Sequence, residues 1–258
     1  MKKGIDKNEN SGIQINKFIS NTGFCSRREA EKLIEQARVT INDELCLLSA
    51  RVQIGDVVEV DGEPLLKKTK PIYIVLNKPT GITSTTDLKD KTNIISFINY
   101  PKRIFPIGRL DKDSEGLILL TNDGDIVNKI LRAGNNHEKE YIVSVDKRIT
   151  PEFISKMGNG VSILETVTQK CFVEKLDNTS FKIILTQGLN RQIRRMCEEL
   201  DYKVTKLKRV RIMNVTLDGL SSGKWRYLSE EEMDTINKLV ANSVKTEEGS
   251  YLPDNLDE

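Results

Sequence analysis

The sequence predicts an α+β protein, and three observations carry that expectation. Strand-like apolar runs and helix-like periodic stretches both occur, but without the regular strand–helix–strand rhythm of a doubly wound sheet. No glycine-rich phosphate loop follows a strand. At 258 residues the chain is also long enough for one large domain with a sizeable core plus a small one.

The chain opens with a polar segment, 1–12, of disordered composition. Ile15, Phe18 and Ile19 then share one helical face by i, i+3, i+4 spacing. After the break at Asn21-Thr22-Gly23, Ser26 and Glu29 form a Ser-x-x-Glu capping box. The helix it starts has Ala30, Leu33, Ile34 and Ala37 as its apolar face. Short strands are expected at 39–41, 45–48 and 57–60, so residues 13–64 read as a small domain of two helices and a sheet. Residues 61–71 mix turn formers with charge and read as a linker.

The larger domain is expected over 71–241. It opens with a strand at 72–76, broken by Asn77-Lys78-Pro79-Thr80-Gly81. The stretch 108–124 carries a charged cluster (Arg109, Asp111, Lys112, Asp113, Glu115) directly before four apolar residues, 117–120, and a turn at Asn122-Asp123-Gly124. An unbroken apolar run bounded by turn formers reads as a buried strand. A carboxylate at its mouth sits at the rim of a core, where charges interact more strongly than in bulk water. A helix is expected at 125–132 and an alternating, half-buried strand at 139–145. Thr150 reads as an N-cap with Pro151 in the first turn.

Strands at 171–176 and 181–187 lead into Gly188-Leu189-Asn190-Arg191-Gln192-Ile193-Arg194-Arg195-Met196. Arg191, Arg194 and Arg195 are spaced to share a helical face near the helix start, where cations oppose the macrodipole. Such a run persists when anions compensate it, and RNA phosphate or a carboxylate would do so. Lys203, Lys206, Lys208, Arg209 and Arg211 extend a basic track, and a final helix is expected at 229–241.

Overall charge is nearly balanced, 40 Lys and Arg against 38 Asp and Glu. The segment 243–258, read as a disordered tail, holds one Lys and five acids, so the rest of the chain is +6. Residues 186–211 carry a local +5, a basic patch on a protein that is not basic overall. The four cysteines lack metal-site spacing and there is one His, which argues against a zinc site and a disulfide framework. No apolar run reaches membrane-span length and no signal-peptide core is present. A soluble, cytoplasmic protein with free thiols, bound to no membrane, is the expectation.

The motif Gly108-Arg109-Leu110-Asp111, continued by Ser114-Glu115-Gly116-Leu117-Ile118-Leu119-Leu120-Thr121-Asn122-Asp123-Gly124, resembles the catalytic motif of bacterial ribosomal RNA pseudouridine synthases of the RsuA/RluB/RluE/RluF family. Three further stretches match in order: the Lys78-Pro79-Thr80-Gly81 turn, the Lys139-Glu140-Tyr141 segment and the arginine run at 191–195. The resemblance covers roughly 13–241. Within it, the segments Ile15–Ile19, Cys25–Ala30 and Val39–Asn42 resemble the RNA-binding domain named after ribosomal protein S-four.

The resemblance implies a mixed, mostly antiparallel sheet with the active-site cleft across it, and conversion of uridine to pseudouridine in large-subunit ribosomal RNA, with tRNA open as a second substrate. It makes Asp111 catalytic, pairs Arg194 with it, lays Tyr141 against the target base and sets Leu185 beside that base. Lys139, Arg191 and Arg195 are then expected to bind substrate, and Arg109 to fill the stack vacated by a flipped-out uridine. Lys17, Arg27, Arg28 and Lys32 are expected to meet phosphates. No direct chemical role is expected for Lys78. Nothing is oxidised or reduced in the isomerisation, so no cofactor or metal is expected. The expected partner is a ribosomal RNA stem-loop, bound by a monomer.

Two rival readings are open. Asp113 and Glu115 suggest the paired carboxylates of a glycoside hydrolase, but that leaves the small domain and the arginine run unexplained. A non-catalytic RNA-binding ribosome-assembly factor would keep the basic surfaces and need no Asp111.

Overall fold

The computed structural model describes residues 12–65, 70–131 and 136–241. The polar opening segment up to residue 11, the middle of the linker, Arg132 of an expected helix and the acidic tail lie outside the described residues. The chain divides into two compact units, Met1–Pro71 and Ile72–Glu258.

In the first unit, β1 (Ile13–Gln14), α1 (Ile15–Asn21) and α2 (Arg27–Glu35) precede β2 (Val39–Ile41), β3 (Glu44–Leu45), β4 (Arg51–Val52), β5 (Val58–Val60) and β6 (Glu63–Pro64). The capping box forms as expected: Glu29 N donates to Ser26 Oγ (3.2 Å) and Ser26 N to Glu29 Oε2 (2.7 Å). Ile15, Ile19, Ala30, Ile34 and the valines of β2, β4 and β5 make the core. Burying each of the larger of these side chains stabilises by roughly 1.5–3 kcal/mol. Two expectations fail. The second helix stops at Glu35, and Ala37 is exposed with a left-handed φ of 54°, off the apolar face. The strand expected at 45–48 shrinks to Glu44–Leu45, because Asn42 and Asp43, both at positive φ, make a two-residue hairpin turn with only a short ladder. Leu45 at its end and Leu47 beyond it are exposed.

The second unit contains β7 (Tyr73–Lys78), α3 (Ile94–Ile98), β8 (Phe105–Ile107), β9 (Glu115–Thr121), α4 (Gly124–Leu131), β10 (Lys139–Val145) and α5 (Pro151–Asn159). It continues with β11 (Ser162–Ile163), β12 (Thr166–Val167), β13 (Phe172–Lys175), β14 (Ser180–Leu185), α6 (Gln192–Glu199), β15 (Val204–Ile212), β16 (Val215–Thr216), β17 (Trp225–Tyr227) and α7 (Glu230–Val240). Its main sheet runs β13-β14-β10-β15-β9-β7-β17, with β8 on β9 and β16 on β15. Among these pairs only β9–β15 is parallel, so the sheet is mixed and mostly antiparallel, as expected.

β9 explains the unbroken run 117–120. It lies inside the sheet and is buried on both faces. Ile118 and Leu120 join one core with Val143, Phe153 and Phe181. Leu117 and Leu119 join the opposite core with Ile126, Ile130 and Ile236. Gly116 permits the parallel junction: at its φ of 110° an added Cβ would lie 2.2 Å from the carbonyl oxygen of Arg209.

The basic track from Lys206 to Arg211 lies in β15, with Lys203 just before it, and its charges separate. Lys206 pairs with Glu115 (3.1 Å), Arg211 with Glu138 and Glu140 (2.9 and 3.0 Å), and Arg209 is buried. It is therefore not a continuous cationic surface.

Candidate active site

The loop from Gly108 to Ser114 joins β8 to β9 and carries Asp111 and Asp113. It is held from three sides. Buried Ser84 Oγ accepts from Leu110 N (3.1 Å) and donates to Leu110 O (2.7 Å). Gly81 N, in the turn after β7, donates to Lys112 O (2.7 Å). Arg209 donates through Nε to Leu117 O (2.7 Å) and through Nη1 to Arg109 O (3.5 Å), spanning both ends of the segment.

α6 meets this loop from the other side. Arg191 is not inside the helix: it is the N-cap residue, in the left-handed region at φ 48°. From there its guanidinium reaches Asp111 Oδ2 (3.5 Å) and Asp113 Oδ1 (3.4 Å). Arg194, in the first turn, is buried. It contacts Asp113 Oδ2 (3.3 Å) and Ser114 Oγ (3.1 Å), whereas its Nε stands 3.9 Å from Asp111 Oδ2. Two arginines thus bridge two aspartates, and Asp113 holds the shorter contacts. Asp111 keeps a side chain 38 % exposed. Arg195 turns away, donating to Asn190 O and Oδ1 (3.1 and 3.3 Å).

These residues line a cleft of about 1040 Å³ that also takes in Arg109, Lys139, Tyr141 and Leu185. Seven of the eight candidate catalytic and substrate-binding residues therefore meet in one place, and Arg195 is the exception. Tyr141 pairs with Arg209 in the β10–β15 ladder, with the guanidinium carbon 6.0 Å from its ring centroid. In the first unit, Arg27, Arg28 and Lys32 are exposed on α2 and Lys17 is half-buried on α1.

Electrostatics follow from this packing. Burial would raise the Asp113 carboxyl, but the hydrogen bond from Arg191 and the charges of both arginines outweigh it and hold it below the usual carboxylate range. Lys78 is fully buried, donating to Pro79 O (3.0 Å) and Ile82 O (2.9 Å). Burial and the Arg209 charge push it down to about 8, against the pull of Asp111, Asp113 and Glu115. Lys139 donates to Thr186 O (3.2 Å) and is likewise pushed down to about 8 by burial and Arg209. Two buried donors, Arg194 Nε and Arg209 Nη2, have no hydrogen-bond partner among the described residues. Groups of three or more metal-ligating side chains placed to hold an ion are likewise absent among the described residues.

Sequence reasoning missed Asp113 as the main arginine partner, Ser114 as an acceptor, and the buried cations Lys78 and Arg209. For Arg209 a signal existed: Leu207 and Arg209 are two apart in a strand and so face the same way. For Lys78, nothing in the turn motif distinguishes a buried ammonium from an exposed one.

Comparison with known proteins shows the family. Residues 72–199 match the model of the RNA pseudouridylate synthase family, and residues 15–58 match the S4 domain. The chain is 55 % identical over 235 residues to the dual-specificity RNA pseudouridine synthase RluF of Escherichia coli K12, covering 90 % of this chain and 81 % of that protein. It is 36 % identical to the ribosomal large subunit pseudouridine synthase B of Bacillus subtilis, covering 88 % of this chain and 96 % of that one. A solved pseudouridylate synthase superposes with a TM-score of 0.65 at 28 % identity, covering 87 % of this chain and all of the other. A cleft built on the Gly-Arg-Leu-Asp loop, inside this sheet and with these relatives, identifies the chain as a member of the RNA pseudouridine synthase family of isomerases.

Proposed function

We propose that the protein isomerises specific uridines of large-subunit ribosomal RNA in this cleft, with Asp111 as the essential group. The observation that carries the reading is the placement of Asp111 at the cleft, partly open to a ligand, beside two arginines whose shorter contacts go to Asp113. The relatives named for the large ribosomal subunit and for dual specificity support ribosomal RNA as substrate, and we include transfer RNA as a second class to be tested.

The reaction breaks the bond between N1 of uracil and the ribose, turns the ring and joins C5 to the same ribose carbon. The proton leaving C5 is balanced by the one N1 gains. Asp111, as a carboxylate, acts as nucleophile at the sugar or as base toward a neighbouring proton. In either role Arg191 and Arg194 hold it in place while Asp113 absorbs most of their charge. Tyr141 offers a ring face to the base and Leu185 an apolar wall. Flipping the uridine costs a few kcal/mol, and Arg109, with its flat guanidinium, takes its place in the stem-loop stack. Lys139 and Arg191 guide the RNA from inside the cleft and Arg195 from outside it. Lys17, Arg27, Arg28 and Lys32 bind backbone phosphate through the N-terminal domain of residues 13–64, while 71–241 form the catalytic domain. The protein works as a cytoplasmic monomer.

Asp111→Asn keeps the shape and removes the charge. Pseudouridine formation should fall by several orders of magnitude with RNA affinity nearly unchanged. Chemical mapping of pseudouridine in ribosomal and transfer RNA, from cells with and without the protein, identifies the substrate. Near-normal activity of Asp111→Asn overturns the assignment.

A further inference from the structure

Four of the chain's 14 Phe, Tyr and Trp side chains gather outside the cleft, at the β17 end of the main sheet. Tyr100, Trp225 and Tyr227 pack edge to face with ring centroids 5.5–6.4 Å apart, and the Tyr100 and Tyr227 hydroxyls are 3.0 Å from each other. Phe97 lies over Gly223, just before β17. Trp225 is 36 % exposed, Phe97 39 % and Tyr227 54 %. Apolar rings grouped on a surface in this way mark an interaction site.

Pairing and hydrogen bonds tie the patch to segments that reach the cleft. Trp225 and Tyr227 pair with Leu76 and Ile74 of β7, whose side chains belong to the same core as Leu185 and Ile193 under the cleft. Asn77 N donates to Lys224 O (3.0 Å) and Gly223 N to Asn77 O (2.8 Å), so the start of β17 is tied to the strand end that precedes the cleft turn. On the other side, Thr83 at the cleft rim bridges to Asn93, the N-cap of α3, which carries Phe97.

Exposed Lys89, Lys91, Lys102 and Lys224 accompany this path. Asp87 and Asp90 beside the first two accept hydrogen bonds from Lys89 N and from Thr92 N and Oγ1 (2.6–2.9 Å). We propose that the patch is a second RNA-binding site, a stacking platform for unpaired bases of RNA held in the cleft, with these lysines meeting the flanking phosphates. Aromatic faces accept any base, and interleaved cations track the backbone. The proposal rests on the family assignment and not on which RNA is modified.

Trp225 is the only tryptophan in the chain, so its fluorescence reports on the patch without any substitution. Titrating the full-length protein with a mixed-sequence single-stranded RNA of about ten nucleotides should quench Trp225, and Asp111→Asn should respond identically. Emission that stays constant while labelled RNA is bound to saturation overturns the proposal. The double variant Trp225→Ala, Tyr227→Ala should weaken that RNA at least about fivefold with an unchanged salt slope, because stacking releases no counterions. Lys102→Gln with Lys224→Gln should instead lower the slope by roughly 1–2. If the aromatic double variant binds RNA normally but loses a ribosomal protein partner, the patch is a protein-docking face and the proposal fails.

Discussion

Arg191 and Arg194 touch the same two carboxylates, yet their loss should read out differently. Arg194 is buried and also bonds Ser114 and the Asp113 carbonyl, so Arg194→Ala leaves those acceptors unfilled in a shielded place. That costs about 1–3 kcal/mol, and each kcal/mol lowers the melting temperature by about 2–4 °C in a domain of this size. Turnover should fall with it. Arg191 is 41 % exposed and sits outside the helix, so Arg191→Ala should cut turnover on the order of 10- to 100-fold at almost no cost in stability. Turnover at saturating RNA and thermal melts on both variants separate these outcomes. A stable Arg194→Ala protein would show that the burial of this guanidinium is not what fixes the loop.

Lys78 gives a pH signature. Its folded value, about 8, lies below the ordinary 10.5, so above pH 8 the native state has released a proton that the unfolded chain still holds. The unfolded state then binds more protons, and this group's contribution to stability rises with pH between about 8 and 10.5. Lys78→Met should flatten that rise in urea-denaturation midpoints measured across the window. A parallel curve for the variant would mean that the ammonium is not desolvated.

Among the elements, the parallel junction of β9 and β15 is the most exacting. Gly116→Ala places a methyl group against the Arg209 backbone as well as straining φ, and the strands must part. Gly219, at φ 71° with open space around it, carries the strain alone. Gly219→Ala should cost about 1–2 kcal/mol, and Gly116→Ala several kcal/mol more, read from denaturant midpoints of the two variants. Equal losses would remove the close approach as the reason for glycine.

Legibility in the sequence follows the range of the interactions. Helix caps were readable because Ser26–Glu29 and Thr150–Phe153 act within one turn. β9 and β10 were readable from short apolar patterns. β15 reads as a charged track because its lysines dominate that stretch, while its buried face depends on partners far away in sequence. Asp111, Tyr141 and Arg194 came from a family resemblance, whereas Asp113 and Arg209 acquire their roles only when α6 and β15 are folded against the loop. Spacing suggested one shared arginine face. The left-handed turn at Arg191 is a backbone detail that spacing does not encode.

For the whole molecule, each unit carries its own buried core, so the second should fold without the first. Deleting residues 1–64 should leave a cooperative thermal transition and weaker RNA binding. The slope of log affinity against log salt should fall by about 3 if Lys17, Arg27, Arg28 and Lys32 all reach phosphates. Unchanged affinity and slope would remove the RNA role from the N-terminal unit, whose own charge is slightly acidic, seven Lys and Arg against nine Asp and Glu over 13–67.

The pairing of Leu76 with Trp225 has a consequence for biosynthesis. The first strand of the large sheet finds its outer neighbour only once Trp225 has been made, and the junction at Gly116 waits for Arg209. The N-terminal unit, whose described strands pair within its own short stretch, has no such delay. Long-range pairing is slow and local pairing fast, and domains fold as they emerge from the ribosome. Synthesis therefore yields a folded N-terminal module well before Asp111 and Arg194 are brought together, and a truncated chain carries the module without the catalytic sheet.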